Sequence, residues 1–404
     1  MRRVETVHLF VRIAISVLTP FLLTLCPHAQ TQTTDSGGIS LPTQLRIQGA
    51  GWWPTRGDAS RDKFVGTSAC ALCHFDKAST YKAAAMSQAS IPPLRSEGLR
   101  KHDRLEYQLG PYSYELVTEG EHSTLKVSKG QESLSADLQW AFGVGHMGQT
   151  YIYKQKDDLY ESHLSFYTGP QALDITPGHE HSTPANLDEA LGRKMEPSEI
   201  KRCFGCHTTA STTTDLTKTD LTKNDQFEPE HAAWGVTCEA CHGPGADHAA
   251  AMKTGAEKGK ELIFNPARLD PVASVDFCGA CHRTWQDVVG NGLIGAGMLN
   301  VRFAPYRLEN SRCWKQQDAR ITCIACHDPH KPLVREAESY DARCLQCHVQ
   351  RGTRPTKSQP GKACPVATSK CVTCHMPKYQ PPTLHSSFTD HWIRVVHPGK
   401  PYPD

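Results

Sequence analysis

The chain has 404 residues, room for two or three ordinary domains, with 44 Lys+Arg against 42 Asp+Glu and a formal net charge of +2. That near-balance excludes a basic surface of the nucleic-acid-binding kind and an acidic disordered tail. Hydrophobic content is 38%, lean for this length, whereas Cys at 17 and His at 21 are both high. Residues 1–29 read as an export signal. Met1, Arg2 and Arg3 give a positive start, the apolar run 13–25 is too short to span a bilayer, and cleavage falls near Ala29. No later stretch reaches membrane-spanning length, so the mature chain is expected to be soluble and periplasmic or otherwise exported, in an oxidising compartment.

Residues 30–65 form an N-terminal linker, and the next segment, 66–202, opens on Cys70, Cys73 and His74, a C-x-x-C-H motif. After it, stretches at 107–109, 112–117, 123–127, 150–153 and 159–167 alternate or are rich in β-formers, with Gly, Pro and charged turns between them. This predicts a small antiparallel sheet over roughly 104–168. A short helix is expected over 188–201, leading into Cys203, Cys206 and His207, and the Thr-rich run 208–226 reads as a surface loop. Five further copies follow: Cys238, Cys241 and His242; Cys278, Cys281 and His282; Cys323, Cys326 and His327; Cys344, Cys347 and His348; Cys371, Cys374 and His375. Residues 203–379 thus carry six motifs, and 380–404 form a C-terminal tail.

Random placement of these cysteines and histidines gives roughly 0.04 such motifs per chain, so seven reflect a chemical requirement. Two thiols three residues apart add to the two vinyl groups of haem as thioethers, and the histidine after the second thiol becomes the proximal iron ligand. Zinc sites use paired C-x-x-C but have no need of a histidine after each second cysteine. A disulfide across three residues is a poor staple and does not need the histidine either. Seven covalent haems c are expected, on fourteen cysteines. Six motifs lie within the 173 residues from Cys203 to His375, which is too little chain to enclose each haem in its own apolar pocket. The expected fold is therefore a mainly α or irregular multihaem one with a haem-filled core and a small β insert after the first motif.

The run GVTCEACHGPG at 235–245 followed by His248, the run TCIACHDPH at 322–330, and CVTCHMPK at 371–378 resemble multihaem cytochromes of the c-552/c-554 type. The closing FTDHWIR at 388–394 resembles the C-terminal signature of the same group, and the likeness covers about residues 66–395. Related folds include tetrahaem carriers and hydroxylamine-oxidoreductase-like enzymes, so the resemblance implies haem and redox chemistry without one reaction. It also points to His248, His330, His385 and His391 as distal ligands. His146, in GVGHMG at 143–148, sits on a glycine-flanked turn that lets its ring approach closely, and Met86 is a thioether candidate beside the first motif. His330 lies three residues after His327, on the same side of a helical turn, so it should reach a neighbouring haem. His102, His122, His163 and His397 read as surface histidines, and His179, His181 and His231 stay open. Cys313 and Cys364, the two thiols of the mature chain outside the motifs, are expected to pair as a disulfide.

Two function classes remain at this point. One is an electron carrier with closed six-coordinate irons, fed by redox proteins or quinone-linked donors, and the other is an oxidoreductase with one open iron for a small nitrogen or sulfur compound. No G-x-S-x-G, H-E-x-x-H or phosphate loop occurs, so no separate catalytic residues are identified. Neither a nucleic-acid partner nor a membrane span is expected of the mature chain.

Overall fold

Strands form where the sequence alternates between the two faces of a pleat. The computed structural model describes residues 59–143, 147–179, 182–214, 225–290, 292–314, 320–382 and 384–397. The signal, nearly all of the 30–65 linker, His146, His181 and the end of the C-terminal tail lie outside the described residues. A nine-stranded sheet comprises β1 (Ser90–Ile91), β2 (Arg104–Leu109), β3 (Tyr112–Glu119), β4 (His122–Lys129), β5 (Glu132–Phe142), β6 (Gly148–Gln155), β7 (Asp158–Tyr167), β8 (Ala172–Ile175) and β9 (Gly192–Lys194). Strands β2 to β8 follow one another as antiparallel neighbours, β1 adds to β5, and β9 adds to β7. The registers Leu109↔Tyr112, Glu119↔His122 and Lys129↔Glu132 leave two-residue hairpin loops, each opening on a glycine at positive φ (Gly110, Gly120, Gly130). That geometry matches the right-handed twist of the flanking strands.

The sheet curls back on itself. The Tyr107 hydroxyl of β2 donates to Asp174 Oδ1 of β8 at 3.0 Å, joining the two ends of the strand path. Inside lies a large apolar cluster that includes Tyr114, Leu116, Leu125, Val127, Tyr151, Leu164 and Phe166. The outer face carries Trp140, Phe142, Ile152 and Leu159, which pack with Met195 and Phe204.

This architecture corrects the expectation of a mainly α fold with a small β insert. The sheet runs from Ser90 to Lys194 and is the largest regular element described. Strand β5 escaped the pattern because Ser133, Ser135 and Asp137 face outward while Ala136 and Leu138 face inward, and a bulge between Leu138 and Trp140 breaks the alternation and turns Trp140 to the outer face. His163, expected at the surface, is 5% exposed, because the second half of β7 is buried on both faces. The Thr-rich run is not a surface loop at its start. Thr208, Thr209, Thr212 and Thr213 are buried, and Thr208–Thr209 pairs with Ala233–Trp234.

The motifs ride on short helices: α1 (Thr67–Ala71), α2 (Pro197–His207), α3 (Cys238–His242), α4 (Pro271–His282), α5 (Cys323–Cys326), α6 (Asp341–Cys344) and α7 (Cys371–His375). Pro197 and Pro271 occupy first-turn positions, where a missing N–H is harmless. The helix expected over 188–201 is split into Leu187–Leu191 and α2 by the short strand β9. Beyond α2 the apolar packing thins to a small cluster of Val288, Phe303 and Tyr306. Phe204, inside the second motif, is fully buried and meets Trp140, Phe142 and Phe227 edge-to-face, at centroid distances of 5.3, 4.9 and 5.9 Å. It joins the second motif to the sheet. Phe204→Ala is expected to destabilise the protein by about 3–5 kcal/mol, read as a lower denaturant midpoint of the haem-loaded protein.

Candidate haem-attachment sites

A histidine that ligates iron through Nε2 is commonly held by a hydrogen bond from Nδ1, which fixes its tautomer and ring orientation. Four motif histidines show this arrangement. Nδ1 donates to a backbone carbonyl from His207 to Ala89 at 2.8 Å, from His242 to Phe264 at 2.8 Å, from His348 to Lys362 at 2.9 Å and from His375 to Arg394 at 2.8 Å. His248 and His391, outside the motifs, do the same toward Gly259 at 2.8 Å and Thr389 at 3.0 Å. A carbonyl can only accept, so each ring carries its proton on Nδ1 and turns the Nε2 lone pair outward. Desolvation by the surrounding chain holds His207, His242 and His327 below the ordinary imidazole value and pulls His391 down to about 4. All four are thereby kept neutral, the form that binds a metal.

Three motif histidines face a second histidine across a gap. Ring centroids stand 6.3 Å apart for His74 and His248, 6.0 Å for His242 and His330, and 6.2 Å for His327 and His391. These separations are too wide for ring stacking. A ligating imidazole nitrogen lies about 2.0 Å from its metal and about 1.1 Å from its own ring centre, so two rings on one iron stand about 6.2 Å apart. The gaps therefore fit one iron each. His330 is brought to His242 of the third motif, away from His327 of its own, and His248 and His391 likewise meet rings of other motifs.

Other expected ligands are placed differently. His385 Nε2 bonds Asp174 Oδ2 at 2.7 Å and its ring meets Tyr167 at 4.4 Å, at the β8 edge of the sheet. Met86 lies in the 3-10 turn Ala85–Gln88, and its carbonyl accepts the N–H of Val236 at the entry to the third motif. Cys313 and Cys364 are both free thiols, so the expected disulfide is not formed. Cys364 is half-buried just before a bend, beside the backbone N–H groups of Val366 and Ala367, whereas the thiols near Cys313 are Cys344 and Cys347. Behind the second motif, His179 Nε2 bonds Glu161 at 3.1 Å, its Nδ1 lies 3.3 Å from Nδ1 of His163, and Arg193 bridges Glu161 and Glu199. This polar cluster ties β7 and β9 to α2.

Residues 161–243, which contain the second and third motifs, match the family described as cytochrome c554 and c-prime. The multihaem cytochrome MtrA of Shewanella baltica (strain OS185) is 25% identical over 221 residues, covering 52% of this chain and 54% of that protein. The chain is a multihaem c-type cytochrome. It spans about half the length of that curated relative. The outer cell wall cytochrome OcwA aligns over 83% of this cytochrome and 80% of its own chain at 15% identity, with a TM-score of 0.37, too loose a superposition to carry a fold assignment.

The cytochrome holds its motifs together with buried carboxylates that sequence reasoning missed. Glu239, an intervening residue of the third motif, is 3% exposed and accepts the N–H groups of Val65 and Gly66 at 2.8 Å each and of Gly245 at 2.9 Å. Gly66 caps α1, so this carboxylate fastens the first motif to the third. Asp341, three residues before Cys344, accepts from Lys370 N at 2.7 Å and Cys371 N at 2.8 Å, fastening the sixth motif to the seventh. In the closing segment, Arg307 and Asp390 are both fully buried and pair through two bonds of 2.9 and 3.0 Å, with the Trp392 ring 4.9 Å from the guanidinium. The only signal in sequence was position, because each carboxylate lies in or beside a motif or next to His391. Asp390→Ala leaves the buried Arg307 charge without this partner and should destabilise the cytochrome by about 3–5 kcal/mol. Glu239→Ala, which strands three N–H groups, should lower stability by about 2–3 kcal/mol; thermal unfolding of the two variants beside the parent measures both.

Proposed function

We propose that this chain is an exported heptahaem cytochrome c that carries electrons through closely packed, mostly bis-histidine haems. The single observation that supports it best is the set of three histidine pairs at iron-spanning separation, each joining different motifs. In this reading the fourteen motif cysteines form the thioethers, and His74, His207, His242, His282, His327, His348 and His375 are the proximal ligands. His248 closes the face opposite His74, His330 that opposite His242, and His391 that opposite His327. His146, His385 and Met86 are the proposed ligands for three of the four remaining faces. Bound haem would supply a one-electron Fe(III)/Fe(II) couple, and the paired histidines that would hold it would leave no room for a substrate. The protein's part is to hold each ring's tautomer through the carbonyl bonds, so that a change of iron charge needs little rearrangement.

Export is supported by the basic start and short apolar run of residues 1–29. Among the described residues no helix is long and apolar enough to cross a membrane. Redox proteins or quinone-linked donors are the partners that suit such a carrier.

The mature protein should begin near Gln30, and its denatured mass should exceed the polypeptide by seven haems; a mass matching bare polypeptide overturns the reading. Oxidised protein should give low-spin electron paramagnetic resonance signals. His248→Ala, His330→Ala and His391→Ala should each convert one haem to high spin while the haem count stays at seven. A stoichiometric high-spin haem in the parent protein that responds to nitrite or hydroxylamine would favour an enzyme with an open iron.

A further inference from the structure

The seven motifs do not neighbour one another in chain order. The Cys238 thiol of the third motif lies 3.8 Å from Thr67 Oγ1, at the start of the helix that carries the first. Glu239 bonds the same two segments together, and His248, just after the third motif, faces His74. From the third motif contacts pass to the fourth. Phe264, whose carbonyl accepts from His242 of the third motif, meets Phe277 of α4, next to Cys278, at a ring-centroid distance of 5.9 Å. α4 packs in turn against α5 of the fifth motif, the His327 ring of the fifth meets Tyr340, beside Asp341 at the start of α6, at 5.6 Å, and Asp341 bonds the backbone of Lys370 and Cys371 at the start of the seventh.

The second motif enters this line from the side. The Cys206 thiol lies 3.7 Å from the Ala280 carbonyl, within the fourth motif. α2 and α4 pack against one another. Cys203, the other thiol of the second motif, packs against the outer-face cluster of the sheet.

We infer that the attachment motifs form a forked line, first–third–fourth–fifth–sixth–seventh, with the second motif branching from the fourth and backed by the β-sheet. Motif segments that touch, each bonded to its own macrocycle, hold those macrocycles side by side, so motif contacts map haem contacts. This rests on the proposed haem loading and deepens it, because a carrier built on this order has three ends where a simple line has two. Each hop between neighbours oxidises one ferrous centre and reduces one ferric centre by a single electron. An electron can then travel from the first motif to the seventh without visiting the second, which becomes a separate point of exchange reached through the fourth.

The test is the position of each iron in the haem-loaded protein, located by iron anomalous scattering and assigned through its thioether cysteines. The iron of the second motif should have that of the fourth as its nearest neighbour, and the fourth should neighbour the second, third and fifth. A second-motif iron nearest to the first or third, or irons spaced in chain order, overturns the fork. In solution, the Cys203→Ala/Cys206→Ala variant should lose one haem by mass and alter one of the six remaining low-spin resonance signals; altered signals from two or more overturn it as well. The two readings fail separately, since mass reports the haem count and iron positions report the branching.

Discussion

Covalent attachment of large flat groups is the constraint on which the rest of this structure depends. Between Cys203 and His375 the chain carries six attachment motifs, and the apolar cluster it builds there from its own side chains is small. A segment this poor in buried hydrocarbon does not repay the entropy of ordering by packing alone. Its helices are short, four to twelve residues where they carry motifs, below the length at which helices persist without tertiary support. The organising contacts are therefore polar and long-range: imidazoles tied to distant carbonyls, carboxylates capping another motif's helix, and ring pairs spanning an iron's width.

The β-sheet is the opposite kind of object. It closes on an apolar interior through local hairpins and contains most of the largest fully buried side chains. It can stabilise itself, and it lends that stability to one motif through Phe204 and the Glu161–Arg193–Glu199 ion network. The second motif is thus anchored to protein, and the others chiefly to one another.

That the chemistry is covalent haem was legible, because C-x-x-C-H is a local motif whose spacing is dictated by the two vinyl groups. The partners of His74, His242 and His327 were legible in kind but not in pairing. His330 could be steered away from its own motif by a helical-face argument, yet nothing in sequence said that it would meet His242. The sheet was only partly visible, since β5 hides its alternation behind serines and a bulge and β7 is buried on both sides, which also misplaced His163 at the surface. The carboxylates Glu239, Asp341 and Asp390 stayed invisible because a buried acid that caps a distant backbone looks, in sequence, like any solvated one.

The reach of Glu239 bears on how such a molecule is made. Its carboxylate grips the backbone of Val65 and Gly66 from 173 or more positions further along the chain. During amino-to-carboxyl synthesis, the first motif emerges early but its capping group arrives only after the whole sheet and the second motif have followed. His248, the ring that faces His74, comes later still. The first attachment site is thus among the earliest to appear and among the last to be completed, so maturation enzymes meet it as flexible chain, open to ligation before the fold closes round it.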